Sequence, residues 1–132
     1  MKHWTGAGVL VLVGAVAVAC SDDGSSTGAG GGGDAEINGC TQAAADDMTG
    51  QSSVTLDWSN PHQSCIRISA GTTVTFDGDF VSHPMGDGTV DGPSNGPFSG
   101  NPDAIVFEGG GAWAYYCTAH GLNMQGVIYV DE

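Results

Sequence analysis

One ten-residue stretch near the end of the chain, 115–124, constrains the fold more than any other. It places a thiol, an imidazole and a thioether within eight consecutive positions, at Cys117, His120 and Met124, directly after a strand-like run. A short loop there can aim all three side chains at one point. Thiolate and thioether ligands beside an imidazole favour copper, and two imidazoles, one thiolate and a weak axial thioether form an electron-transfer copper site. The pattern therefore requires a fold that brings a second histidine to this loop.

The rest of the pattern predicts an all-β domain. Val54, Leu56 and Trp58 alternate with polar residues, which is the two-residue period of a half-buried strand. Further strand-like runs are 66–68, 72–76, 80–84, 105–107, 113–116 and 126–130. Residues 85–102 are predicted to form one long surface loop, and 41–48 is the only, weak, helix candidate. Short strands joined by turn-rich segments indicate a β-sandwich or barrel.

Residues 1–19 have the features of an export signal. Lys2 supplies the positive charge, 7–19 is an apolar run shorter than the roughly 20 residues that span a bilayer, and small residues end it. Cys20 follows at once, so this end resembles a bacterial lipoprotein signal that leaves a lipidated cysteine; plain secretion is the alternative. We expect a periplasmic or cell-surface location, with membrane contact only through that lipid.

Residues 20–38 are mostly Ser, Gly, Asp and Ala. Such a segment buries too little apolar surface to fold, so it is predicted to be a flexible tether. The single folded domain is then 39–132.

The four cysteines are predicted to have different roles. If Cys20 carries lipid, three remain, and one of these stays unpaired. Pairing Cys40 with Cys65 closes a loop of about 25 residues and leaves Cys117 free for the metal loop. The alternative pairs Cys117 with another cysteine and excludes the metal site.

Three histidines lie outside the loop. His3 leaves with the signal, and His62 stands in a polar turn. His83 follows strand-like residues and opens the long loop. Strand ends at one pole of a sandwich are where ligands from distant parts of a chain meet, so His83 is predicted to be the second imidazole.

These residues in this order resemble the small blue copper proteins. The resemblance covers about 53 to the C-terminus, and it consists of Gly71-Thr72-Thr73-Val74-Thr75-Phe76, then His83, then Tyr116-Cys117-x-x-His120-x-x-x-Met124-x-Gly126 and a closing strand. The plastocyanin, amicyanin and pseudoazurin group of the cupredoxins is the family concerned. The resemblance implies a cupredoxin-like Greek-key β-sandwich and one type 1 copper ion held by His83, Cys117, His120 and Met124. It also implies a monomeric electron carrier, not an enzyme, with a redox protein partner.

Two positions depart from the family pattern. Pro84 stands where the family usually has an Asn that ties the ligand loops together and hydrogen-bonds the cysteine sulfur, and proline has no N–H to donate. The gap between His120 and Met124 is one residue longer than in amicyanin and one shorter than in plastocyanin. Met85 is therefore a second candidate for the axial ligand.

The charge balance narrows the choice of partner. The chain has 15 acidic and two basic residues, for a formal charge of -13. This excludes nucleic acid, since nothing neutralises its phosphates, and it favours a basic, cytochrome-like redox partner or simply solubility. Asp87, Asp91 and Asp103 in the long loop are candidates to face that partner.

Other functions fit the residues less well. A Cys–His pair suggests a thiol hydrolase, but no third group is placed to orient His120. Copper oxidases need more histidines than this chain has. Storage or delivery of copper calls for many Met or His ligands, and a metal-free scaffold predicts the loss of ligands that are all present here.

Overall fold

The computed structural model describes residues 35–94 and 96–132. The predicted export signal, Cys20 and the tether up to residue 34 lie outside the described residues. Within them the chain forms a short 3-10 helix, Gln42–Ala44, and eight strands: β1 (Asp46–Asp47), β2 (Ser53–Asp57), β3 (Gln63–Ser69), β4 (Thr72–Asp77), β5 (Met85–Asp87), β6 (Ala104–Phe107), β7 (Gly111–Cys117) and β8 (Gly121–Asp131). In this part of the chain, no helix has the length and apolar character needed to cross a bilayer.

The strands form two sheets, so the predicted all-β fold is confirmed. The larger sheet has the order β1-β3-β8-β7-β5 and the smaller has the order β2-β4-β6. β7 pairs antiparallel with both β8 and β5, whereas β3 runs parallel to β8. The strands that carry or flank the predicted ligands are therefore neighbours at one side of the larger sheet.

The main core collects apolar side chains from both sheets. β2 and β4 alternate strictly, so Val54, Leu56, Val74 and Phe76 are buried while the residues between them are more exposed. Tyr115 of β7 lies at the centre, with its ring centroid 5.6, 5.3 and 5.0 Å from those of Trp58, Phe76 and Phe98. Burial raises the pKa of the Tyr115 hydroxyl to about 12, because the phenolate would lose its hydration.

A second, smaller core covers the other face of the larger sheet. It consists of Cys40, Ala114, Val127 and Tyr129. Cys40 forms a disulfide with Cys65 of β3, with the two Cα atoms 5.6 Å apart. The Tyr129 hydroxyl donates a hydrogen bond to the Cys40 carbonyl at 2.9 Å. Both faces of β7 and β8 are consequently buried, which makes the centre of this sheet the most enclosed part of the domain.

The folded contacts begin before residue 39, the predicted domain boundary. Ile37 already forms a bridge with Cys40. The Asn38 side-chain amide lies 3.1 to 3.2 Å from the carbonyl oxygens of Gly88, Tyr115 and Gly126. Asn38 therefore fastens the N-terminal segment to β7, β8 and the end of β5. Asn38 borders the segment rich in Gly, Ser, Asp and Ala, which is why composition alone assigned it to the tether.

Two predictions between residues 80 and 102 are wrong. Residues 80–84 form a turn instead of a strand, because Asp79 caps it: its carboxylate accepts from Val81 N at 2.8 Å and from Ser82 Oγ at 2.6 Å. These bonds hold the pKa of the Asp79 carboxyl below its usual value. The predicted long loop also contains β5, which forms because Met85 to Asp87 pair with Cys117 to Tyr115. Tertiary pairing there overrides a glycine-containing sequence.

The weak helix candidate at 41–48 is also wrong in its extent. Only Gln42–Ala44 is helical, as a single 3-10 turn, and Asp46–Asp47 forms the edge strand β1 beside β3. A helix of one turn gains few hydrogen bonds for the residues it fixes, so the edge pairing is favoured instead.

Candidate metal centre

The pairing of β5 with β7 brings the predicted ligand loops together. Cys117 is the last residue of β7, and His120 lies in the three-residue turn between β7 and β8. Met85 pairs directly with Cys117, and His83 precedes Met85 by two residues. A histidine far away in the chain is thereby placed beside the cysteine at the end of the neighbouring strand.

Three side chains converge at this end of the sheet. His120 Nδ1 lies 3.2 Å from His83 Nδ1 and 3.3 Å from Cys117 Sγ, and Cys117 Sγ lies 4.0 Å from His83 Nδ1. The ring centroids of the two histidines are 4.8 Å apart. The three residues form a group that is able to hold a metal ion, because each offers a ligand atom within 4.8 Å of the other two.

The donor set fits a metal better than it fits an ordinary polar cluster. Bonds of about 2.0–2.3 Å from nitrogen or sulfur to a shared ion imply donor separations of roughly 3–4 Å, which is the range seen here. Two imidazole nitrogens and one thiol that face one another have little else to satisfy them. Cys117 is fully buried, whereas His83 is half-buried and His120 partly exposed. The sulfur is shielded from water, whereas the two histidines are more exposed.

Met124 lies in the same core cluster as Cys117 and has no exposed surface. It reaches this position because the β7–β8 pairing is irregular: Tyr116 pairs with Gln125, but Cys117 pairs with Gly121. The shift leaves 122–124 as an unpaired stretch, with Leu122 70% exposed and Met124 turned inward. Met85, opposite Cys117, belongs to the same buried cluster. Met85 is the register partner of Cys117 and Met124 shares its core cluster, so both thioethers stay candidates for a further ligand.

A hydrogen bond to the Pro84 carbonyl ties the two ligand loops together, although Pro84 has no N–H to donate. The Pro84 carbonyl accepts a bond from Thr118 N at 2.9 Å, which joins the His83 loop directly to the residue after Cys117. The Met85 N–H donates to Asn101 Oδ1 at 2.8 Å. Thr118 and Asn101 were missed from the sequence, since neither stands in a pattern that marks it. The two ligand loops are therefore linked through the Pro84 carbonyl.

The other candidate residues lie elsewhere. His62 Nδ1 faces the Asn60 carbonyl oxygen at 2.7 Å and is not part of the group. The Asp87 carboxylate accepts hydrogen bonds from Phe98 N at 2.6 Å, from Ser94 Oγ at 3.1 Å and from Ser99 Oγ. It organises the loop that follows β5. Asp91 and Asp103 are exposed.

Comparison with known proteins gives a likeness among solved structures. No protein-family model and no curated protein sequence matches this chain. Among solved structures, the chain is similar to a pseudoazurin from a Sinorhizobium species, with 22% sequence identity over 61% of this chain and 74% of that chain and a TM-score of 0.46. The function proposed below therefore rests on the three converging side chains and on their order in the sequence.

Proposed function

We propose that this domain is a blue copper protein that binds one copper ion through His83, Cys117 and His120 and carries single electrons. The observation that supports this is the convergence of two imidazole Nδ1 atoms and a buried thiol within 4.8 Å. A thiolate with two imidazoles is the donor set of electron-transfer copper sites, in which a weak thioether occupies the axial position. Met124 would supply the thioether, with Met85 as the alternative.

Each ligand has a distinct role in this proposal. Bound copper supplies the one-electron couple. Cys117 provides the sulfur donor as a thiolate, and its complete burial protects it from the oxidation expected of an exposed reactive thiol. The imidazoles must be neutral to bind, so copper affinity falls in acid.

Rigidity of the site favours electron transfer. Cys117 ends a strand that is hydrogen-bonded on both sides, and the turn behind it is closed by a bond from His120 N to the Cys117 carbonyl at 3.2 Å. The bond between Thr118 N and the Pro84 carbonyl holds the His83 loop against this turn. Ligands held in this way move little when the charge at the centre changes, and small rearrangement makes electron exchange fast.

An electron carrier fits this site better than an enzyme does. Among the described residues, neither imidazole forms an ion pair with a carboxylate that would orient it as in a Cys–His hydrolase. Within the same part of the chain, the potential metal group is confined to His83, Cys117 and His120. Copper oxidases need further histidine-rich centres.

Features of the sequence and of the surface support a proposal for the partner and the location. We propose export and lipid attachment at Cys20 because of the N-terminal sequence. We also propose a basic redox protein as partner, since the chain carries a formal charge of -13. Val81 and Leu122 stand two residues from His83 and His120 and are 90% and 70% exposed. Apolar side chains beside the ligand loops suit a partner that must approach the metal closely and leave again.

Copper stoichiometry tests the ligand set. The domain is titrated with copper under a competing chelator, and bound metal is counted by native mass spectrometry. One ion per wild-type chain is expected, with severe loss in Cys117→Ser and His83→Ala. His62→Ala is the matched control, because His62 lies outside the group, and it should bind as the wild type does. Loss of copper binding in His62→Ala, together with normal binding in His83→Ala, would contradict the assignment.

A further inference from the structure

His83 is the member of the metal group that lies farthest in sequence from the β7–β8 hairpin. Cys117 belongs to β7, and His120 sits in the tight turn that connects β7 to β8. His83 lies in the turn that Asp79 caps, and its own N–H donates to the Asp79 carbonyl at 2.9 Å. The position of His83 therefore depends on contacts other than the pairing of strands.

Trp58 provides such a contact. Its indole Nε1–H donates a hydrogen bond to the His83 carbonyl oxygen at 2.7 Å. Together with the bond to Asp79, this bond satisfies both backbone polar groups of His83. The residue that follows is Pro84, whose ring restricts the backbone on the other side.

The indole is itself held rigidly. Trp58 follows β2, is 2% exposed, and donates its backbone N–H to the Asp77 carbonyl at 2.8 Å. A Cβ at Gly78 would collide with the Trp58 carbonyl group, so glycine there permits the close approach of the two chains. The ring packs between Phe76 of the smaller sheet and Tyr115 of the larger, with centroid distances of 6.1 and 5.6 Å.

We propose that Trp58 is a positioning residue for the metal centre: its indole N–H fixes the His83 main chain and so aims the His83 imidazole at Cys117 and His120. The proposal deepens the copper function above and rests on it for its metal readouts. A buried N–H donor without its acceptor loses its hydration with nothing to replace it, so the folded core favours the conformation in which the His83 carbonyl accepts from the indole. The packed core between the sheets thereby restricts the position of His83, which lies in a turn.

Trp58→Phe tests the hydrogen bond while it keeps an aromatic ring. The matched control is Trp113→Phe, because the Trp113 indole N–H is buried without a partner. Copper affinity is expected to fall about 10- to 100-fold in Trp58→Phe, as is typical when a residue that orients a ligand is lost, and to stay within about twofold of wild type in Trp113→Phe. The visible spectrum of the copper-bound Trp58→Phe protein should also shift. Wild-type affinity and spectrum in Trp58→Phe would overturn the proposal.

A measurement on the metal-free protein separates this proposal from the copper function. Hydrogen exchange of the His83 amide, followed by NMR, should be at least about tenfold faster in Trp58→Phe than in Trp113→Phe, while amides of β2 and β7 exchange alike in both. Unchanged His83 protection overturns the positioning role whether or not copper binds. If the wild type binds no copper while His83 exchange responds as expected, the copper function fails and the structural coupling stands.

The wild-type protein decides the matter if Trp58→Phe does not fold. The Trp58 indole proton must then be strongly protected from solvent exchange, as a buried donor bonded to the His83 carbonyl should be. Rapid exchange of that proton would refute the proposal.

Discussion

Removal of the Cys40–Cys65 disulfide is expected to destabilise the domain strongly. The two cysteines are 25 residues apart in sequence. In the chain-entropy account, a closed loop of this size contributes about 3.5 kcal/mol by restricting the unfolded chain. For a domain of this size, each kcal/mol shifts the melting temperature by about 4–8 °C, so the double variant Cys40→Ala/Cys65→Ala should melt roughly 14–28 °C below wild type.

Differential scanning calorimetry of the metal-free domain measures this shift. Wild-type protein with excess reductant is the companion sample, and it should melt close to the double variant. The other contacts of the segment persist in both, including the hydrogen bond from Tyr129 to the Cys40 carbonyl and the three contacts of the Asn38 amide. A decrease below about 5 °C would show that these contacts alone hold the segment, and it would refute the entropic reasoning.

Three further predictions concern single side chains. Met124→Leu should keep copper but raise the reduction potential in voltammetry, since an apolar side chain replaces a weak donor; a shift with Met85→Leu instead would move the axial role to Met85. Gly126→Ala should destabilise the domain by about 1–3 kcal/mol in urea, because its Cβ would lie 2.5 Å from the Tyr115 hydroxyl, whereas Gly50→Ala, with open space, should change stability little. The pKa of Tyr115 is raised from 10.0 to about 12, so the unfolded chain loses this proton first. Stability should be full below pH 10 and fall by about 2–3 kcal/mol towards pH 12, and Tyr115→Phe should remove that decrease.

The strands of the smaller sheet were the easiest to predict. Val54 and Leu56 in β2, and Val74 and Phe76 in β4, alternate with polar residues because one face meets the core and the other meets water. The pattern weakens in β7, where Ala114 and Tyr115 are both buried. The second small core covers the outer face there, and no two-residue period survives burial on both faces.

The turn before β5 shows where pattern reasoning fails. Phe80 and Val81 look like a strand, but the Asp79 carboxylate accepts hydrogen bonds from Val81 N and Ser82 Oγ, and these bonds close a turn. β5 was missed for the opposite reason, since its stability comes from pairing with β7 and not from its own composition. Asn38 was assigned to the tether because its three acceptors come from residues 50 to 88 positions away.

The metal group was predictable in part. The order of His83, Cys117 and His120, and their resemblance to one family, selected the three residues that converge within 4.8 Å. The supporting contacts were not predictable, because residues that are distant in sequence meet only in the folded chain. The His83 loop is contacted in this way by Trp58, Asn101 and Thr118. The position of Met124 depends on the register shift between Tyr116 and Cys117, which leaves no mark in the sequence.

The visible spectrum of the copper-loaded domain tests the central claim most directly. If Cys117 binds copper as a thiolate beside His83 and His120, the cupric protein must be intensely blue or green from thiolate-to-copper charge transfer. The colour must bleach on one-electron reduction and return on reoxidation, and Cys117→Ser must lack it. A domain that binds one copper ion yet stays colourless in the cupric state would contradict the account.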